Sequence, residues 1–515
     1  MKILVIRNHR LGDILQLTPM VKALKAEHPD SRIWFLTGKD YRELLTGNPG
    51  VDRIIPFEEV EIRARLNNDP DRYPWIYNRL HDMCEALKRE RFDLVINRQY
   101  EEGGVLAALV GGGAVRGGRF VKGRGMVFDD RPSEELYGVI RTDRRANRRN
   151  LVDWSCLIAG VEPGMHLMDF HVPVTAQWKA DRLISGGDRG GGLTAVQMGA
   201  GTPFRRWGES CFSEVIQSLI SRGDRVVLLG TENEKDSVRY VMDHTDQGER
   251  IVDLVGKTSI KVLGAVLRRC DRLITGDTGT MHLAAAVGTP TLSLFFGTAY
   301  PWETGPYGSG HGVLFADLPC APCLEPESCL VGHRCKEMIT PVLVRRALDF
   351  MEAIRKGRRD PERWEGDGVE LLITRVEPGR GQVLVPANVW LDAGMSLPAG
   401  TRDPGKPPAK PDGNSGLPDP ETVLEGYYRG DYEAFLGAFA EYLDHVIWAF
   451  REGVSRGILS GQVQQEIAGV VDLAGTAGAD ALKAGDPAAL ADLVRYELGR
   501  VFEIVKNGLG AWPES

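Results

Sequence analysis

Residues Asp271 to Pro290 read DRLITGDTGTMHLAAAVGTP and constrain the fold more than any other stretch. An apolar run, Leu273 to Thr275, gives way to Gly276-Asp277-Thr278-Gly279 and then to small residues from Met281 to Val287. The pattern predicts a strand, a tight turn and a helix start. Unpaired N–H groups at such a start, with the helix dipole behind them, attract an anion. Glycine lets a phosphate come close to the backbone. His282 falls in the first helical turn, where its ring N–H can reach a phosphate oxygen. The segment therefore fits a diphosphate. The plainer reading makes Asp277 an N-cap and His282 a surface residue.

A chain of 515 residues is long enough for several domains. Its net charge of −8 argues against a general nucleic-acid binder, which is more often basic. The charge is uneven, with Arg116, Arg119, Lys122, Arg124, Arg141, Arg144, Arg145, Arg148 and Arg149 in one Gly-rich run. Such a run is either a solvated face or a mobile loop that meets an acidic substrate. Lys2 to Ile6 is too short for a secretory core and reads as a first buried strand. No apolar run reaches membrane-spanning length. The expected location is the cytoplasm, with peripheral contact to the inner membrane.

Strand-like and helix-like segments alternate twice. The first series has strands at 2–7, 32–36, 53–56 and 93–97, with helices at 14–27, 41–45 and 75–89. The second has strands at 194–198, 225–230, 251–254, 272–275 and 291–295, with helices at 210–221, 232–243, 259–269 and from Met281. Alternation of this kind indicates a parallel sheet covered by helices. Two series imply two doubly wound α/β domains. Ligands of such sheets bind beyond the carboxyl ends of the strands. The loops Asn8–Asp13 and Gly276–His282 both follow strands and should line one shared cleft.

The expected domains are 1–175, 176–358, a small β-hairpin extension at 359–396, a Pro-rich linker at 397–420 and a helical domain at 421–515. In the last, Tyr428, Tyr432, Phe435, Phe439, Tyr442, Val446 and Phe450 recur at helical spacing. They form either a self-contained core or a face for self-association.

Four of the eight cysteines, Cys84, Cys156, Cys211 and Cys270, are scattered and read as small buried hydrophobes. Cys320, Cys323, Cys329 and Cys335 form a C-x2-C-x5-C-x5-C cluster. Four thiolates this close suit a structural tetrahedral metal, zinc in the simplest case. The alternatives are free thiols or a disulfide pair.

Arg7-Asn8-His9-Arg10-Leu11-Gly12-Asp13 and the Asp277-Thr278-Gly279 turn together resemble glycosyltransferase family 9, best known for the ADP-heptose:lipopolysaccharide heptosyltransferases. Further matches are Phe92 to Asn97, Gly199-Ala200 with Arg206-Trp207, Gly256 to Ser259, and Gly288-Thr289-Pro290. The resemblance covers roughly residues 1–350. It implies a GT-B architecture, two Rossmann-like domains facing a cleft, with a C-terminal helical extension beyond the pattern. It also implies inverting transfer that needs no cofactor.

On that resemblance Asp13 is the base that takes the acceptor hydroxyl's proton, a role in competition with N-capping the first helix. The N–H groups of Thr278, Gly279 and Thr280, with Asp277 and His282, would hold the departing diphosphate. Arg205 falls where the family places a lysine, with Arg206 as the alternative. Glu234 matches an acid on the ribose hydroxyls, Thr202 is a further donor-site residue, and Arg10, Arg116 and Arg119 would meet an anionic acceptor. Some relatives that glycosylate proteins carry a four-cysteine iron site, which makes iron the rival of zinc. The implied partners are ADP-heptose and an anionic glycolipid. A protein acceptor, or an idle scaffold in a surface-polysaccharide cluster, are the other readings.

Overall fold

The computed structural model describes residues 1–68, 72–185, 191–246, 248–323, 329, 331–358 and 361–397. The Pro-rich linker after Leu397 and the helical domain at 421–515 lie outside the described residues. By compactness the chain divides into two units, Met1–His171 with Asp181–Gly405, and Val172–Ala180 with Lys406–Ser515. The first unit holds both sheets and everything that follows. Of the second, the described part is the short stretch Val172–Ala180, most of which belongs to the helix Val174–Leu183.

The first lobe is built on five parallel strands: β1 (Lys2–Ile6), β2 (Arg32–Gly38), β3 (Arg53–Phe57), β4 (Leu94–Asn97) and β5 (Ala114–Arg116). Their order is β3-β2-β1-β4-β5. Strand β1 lies in the middle, pairing Ile3 with Ile33 on one side and with Leu94 on the other. Ile3, Leu4, Val5 and Ile6 are fully buried, as a continuous apolar run covered on both faces must be. A two-stranded hairpin follows, β6 (Arg119–Val121) against β7 (Gly125–Val127).

The second lobe has eight strands: β8 (Leu193–Gln197), β9 (Arg225–Leu229), β10 (Ile251–Asp253), β11 (Arg272–Gly276), β12 (Thr291–Phe295), β13 (Gly312–Ala316), β14 (Val369–Glu377) and β15 (Gly381–Pro386). The order is β10-β9-β8-β11-β12-β13-β14-β15. The first six are parallel, and β14 and β15 add an antiparallel edge. The hairpin expected from sequence is thus joined to the second sheet. Its turn also reaches the first lobe, where the Gly379 N–H donates to the Pro163 carbonyl at 3.0 Å.

In each sheet the strand order reverses at its first strand, β1 or β8. A crevice opens at such a reversal, beyond the carboxyl ends of the strands. The loops after β1 and β4 come from one crevice, and those after β8 and β11 from the other.

Three local expectations change. The helix predicted across 14–27 is two, Leu11–Leu15 and Thr18–Glu27. Pro19 stands in the first turn of the second, where its missing N–H is tolerated. Strand β13 and the helix Leu151–Ala159 carry no mark that separated them in the sequence. The Arg116–Arg149 run is not a loop: it holds β6, β7 and the helix Arg131–Thr142, which Asp130 caps by accepting from the Ser133 N–H at 2.8 Å.

Candidate active site

One cavity of about 900 Å³ lies between the lobes. Its walls include Arg10, Gly12 and Asp13 after β1, Arg98 after β4, Thr202 and Arg205 after β8, Glu234 after β9, Asp277 to Thr280 after β11, and His282. The cleft expected from two strand-end loops is therefore present.

Arg10 caps the helix Leu11–Leu15 with φ 68°, so its own side chain is exposed at the cleft mouth. Asp13 sits inside the first turn and is not the N-cap, which leaves its carboxylate available. That carboxylate pairs with the Arg7 guanidinium, whose other nitrogen donates to the Arg98 carbonyl. Asp13 is 22% exposed, so it is held on one side and open to the cleft on the other.

On the facing lobe Thr278, not Asp277, caps the helix Gly279–Ala286, and its hydroxyl accepts from the Met281 N–H at 3.4 Å. The same hydroxyl donates to Gln197 Oε1 at 2.8 Å, and Thr275 does so at 2.9 Å. Gln197 Nε2 in turn donates to Glu234 Oε1 at 3.2 Å. Glu234 also closes a capping box with Thr231. Gly199 leaves room for it, because a Cβ there would lie 1.1 Å from Glu234 Oε1. Gln197 was not singled out in the sequence. A polar residue ending an otherwise apolar strand was its only signal.

Asp277 accepts from Arg205 Nη1 at 2.9 Å, and Arg205 Nε donates to Thr298 Oγ1 at 2.8 Å. Burial raises the Asp277 carboxyl above its ordinary range, and the Arg205 charge opposes that. His282 is a buried residue, 4% exposed. Burial pushes its imidazole down to about 4, so the ring is neutral at physiological pH. Its Nδ1 has no hydrogen-bond partner among the described residues.

The two lobes meet at this ring. A Cβ on Gly12 would lie 2.3 Å from His282 Cδ2, and one on Gly279 would lie 3.0 Å from Leu11 Cβ. Asp13 and the Thr278–His282 turn therefore share one gap.

Two expected contacts are absent from it. Arg116 donates to the Ile158 carbonyl at 3.1 Å, at the end of the helix Leu151–Ala159, and Arg119 pairs with Asp129 at 2.7 Å. Neither lines the cleft. An arginine at a helix C-terminus satisfies orphan carbonyls, and a charge run in sequence gives no hint of that use.

Cys320, Cys323, Cys329 and Cys335 are free, and among the described residues no three His, Cys, Asp or Glu side chains are grouped to hold a metal. Cys320 is exposed while Cys335 packs against the second-lobe core. Burial raises the Cys323 and Cys335 thiols, and the neighbouring cysteines add to that. The Cys329 sulfur accepts from the His333 N–H at 3.1 Å.

Two lobes of this topology facing a cleft have the GT-B fold. The sequence model of glycosyltransferase family 9 (heptosyltransferase) matches residues 176–332. Over those residues the chain resembles that family. It is 25% identical to lipopolysaccharide heptosyltransferase 3 of Escherichia coli over 304 residues, 57% of this chain and 84% of the relative. It is 26% identical to lipopolysaccharide heptosyltransferase 1 of Pseudomonas aeruginosa over 333 residues, 63% and 86% respectively. In fold it is similar to the family 9 glycosyltransferase from Veillonella parvula, with a TM-score of 0.54 at 20% identity, over 68% of this chain and 96% of that one.

Proposed function

We propose that the protein transfers a heptose from ADP-heptose to an anionic lipopolysaccharide-core acceptor, with inversion at the anomeric carbon. The observation that carries this reading is the shared gap between Asp13 and the Thr278–His282 turn. Asp13 takes the proton of the acceptor hydroxyl as its oxygen attacks the anomeric carbon. The bond from that carbon to the diphosphate breaks on the opposite face. The N–H groups of Gly279 and Thr280, with Arg205, receive the charge that develops on the leaving ADP. Glu234, fixed by Gln197 and Thr231, stands where it can accept from ribose hydroxyls. Arg10 is the acceptor-side cation at the cleft mouth.

Relatives named for lipopolysaccharide favour a glycolipid acceptor over a protein acceptor. No helix among the described residues is long and apolar enough to cross a membrane. Self-association through the C-terminal helices concerns residues outside the described ones.

The test is incubation with a panel of nucleotide-sugars, following donor binding by calorimetry and turnover by nucleotide release. Asp13→Asn is expected to keep ADP binding and lose transfer. Near-native turnover in that variant would remove Asp13 from the mechanism.

A further inference from the structure

We propose that Arg144, a residue of the first lobe, is a positioning residue for the nucleotide-sugar site of the second, acting through Glu303 and Thr298 on Arg205. The proposal rests on the donor assignment above.

Arg144 lies in the turn Arg144–Ala146 that follows the helix Arg131–Thr142. Its Nε stands 3.1 and 3.2 Å from the two Glu303 carboxylate oxygens, and its Nη1 donates to the Thr298 carbonyl at 3.1 Å. Thr298 is also the residue whose hydroxyl accepts from Arg205. One threonine is thus held by its carbonyl from the first lobe and by its hydroxyl from the second. Arg144, Arg205, Asp277, Thr298 and Glu303 all line the same cleft.

The turn is fixed before it reaches Glu303. Arg145 donates to the Leu318 and Ala321 carbonyls at 2.7 and 3.2 Å, and its own carbonyl accepts from the Tyr300 hydroxyl at 3.1 Å. Arg144 is therefore presented to Glu303 by a docked backbone.

Glu303 is 4% exposed, and a carboxylate that deep needs a cation. Asp277 feels both Arg144 and Glu303 besides its own partner Arg205. Without Arg144, Glu303 becomes an uncompensated negative charge in the cleft that Arg205 and Asp277 also line. It would draw the Arg205 guanidinium from Asp277 and repel a diphosphate. Arg144 thereby links contact between the lobes to the readiness of the anion site.

The experiment is a double-mutant cycle on the full chain, with ADP as the calorimetric probe. Arg144→Gln is expected to weaken ADP binding about tenfold, while Glu303→Gln and the double variant stay within about threefold of wild type, the coupling expected of networked neighbours. The second substitution should rescue the first, because it removes the stranded carboxylate. Additive effects, with the double variant as weak as Arg144→Gln corrected for Glu303→Gln, would mean that Arg144 touches the nucleotide directly and would overturn the proposal. In turnover, Arg144→Gln should raise KM for the nucleotide-sugar and leave kcat near wild type.

If the charge variants fold poorly, Thr298→Val removes the hydroxyl that Arg205 uses and leaves the Arg144–Glu303 pair intact. Weaker ADP binding is expected there, and unchanged binding overturns the link. Wild-type protein that does not bind ADP would defeat the donor assignment and this proposal with it. Wild-type binding with additive variants defeats the proposal alone.

Discussion

At the scale of single residues the cleft depends on an atom that is missing. Gly12 has no Cβ, and the His282 ring occupies the space one would need. Gly12→Ala is expected to push the ring or the lobe aside, at a cost of about 1–3 kcal/mol if the site overpacks. Activity should fall with it, as read by nucleotide release and by thermal melts on the same sample. The sequence made Asp13 and His282 legible, because strand-turn-helix spacing marks both. It could not show why position 12 is glycine, since the reason sits on the other lobe. His282 itself was open between ligand and surface residue, and its burial removes the surface reading.

Burial also sets a pH response. His282 and His311 are both pushed down to about 4, below the ordinary 6.5. Between those values the unfolded chain binds protons that the fold refuses, so stability is full above pH 6.5 and is lost as pH falls towards 4. The loss is on the order of 3 kcal/mol for each ring when complete. Urea unfolding at pH 7 and pH 5 should show the drop, and His311→Leu should shrink it. Asp153, raised to about 6, acts in the opposite sense over part of this window, so an unchanged pH response in His311→Leu is the result that would contradict the burial of that ring.

At the scale of elements, the segment from Asp143 to Asp153 works as a strap. Besides Arg144 and Arg145, Arg148 stacks 4.2 Å over the Trp302 ring, and Asn150 donates to the Gly305 carbonyl at 3.1 Å. Asp153, fully buried on the helix Leu151–Ala159, accepts from the Tyr307 hydroxyl at 2.7 Å and from the Gln382 N–H at 2.8 Å. Burial raises its carboxyl to about 6, and these two donors oppose that. Tyr307→Phe should leave a buried oxygen short of a donor and destabilise the protein by about 1–3 kcal/mol. The measurement is the urea midpoint at neutral pH, where Asp153 is ionised, and an unchanged midpoint would rule out the contact. None of this was readable in the sequence. Arginines in a row look alike whether they face solvent, cap a helix as Arg116 does, or bind the other lobe. Strand β13 went unseen for a similar reason, since nothing around it announced a partner.

At the scale of the molecule, two repeated strand series sufficed to place two sheets and one cleft. Each apolar run is short, and each is bounded by turns that admit little else. The edge hairpin, β14 with β15, could be foreseen as a hairpin but not as a bridge, because its Gly379 contact lies on the first lobe. Arg10 belongs to this scale too. Its φ of 68° is a backbone setting that glycine tolerates and arginine does not prefer. Arg10→Gly should relieve on the order of 1 kcal/mol of strain and raise the melting temperature. On the proposed reading it should also lower turnover, because the cleft loses the cation assigned to the acceptor. A lower melting temperature would show that the strain is not there. If it is there, this catalyst is less durable than its own sequence would allow, and selection for shelf life would steadily erode it as a tool for joining sugars.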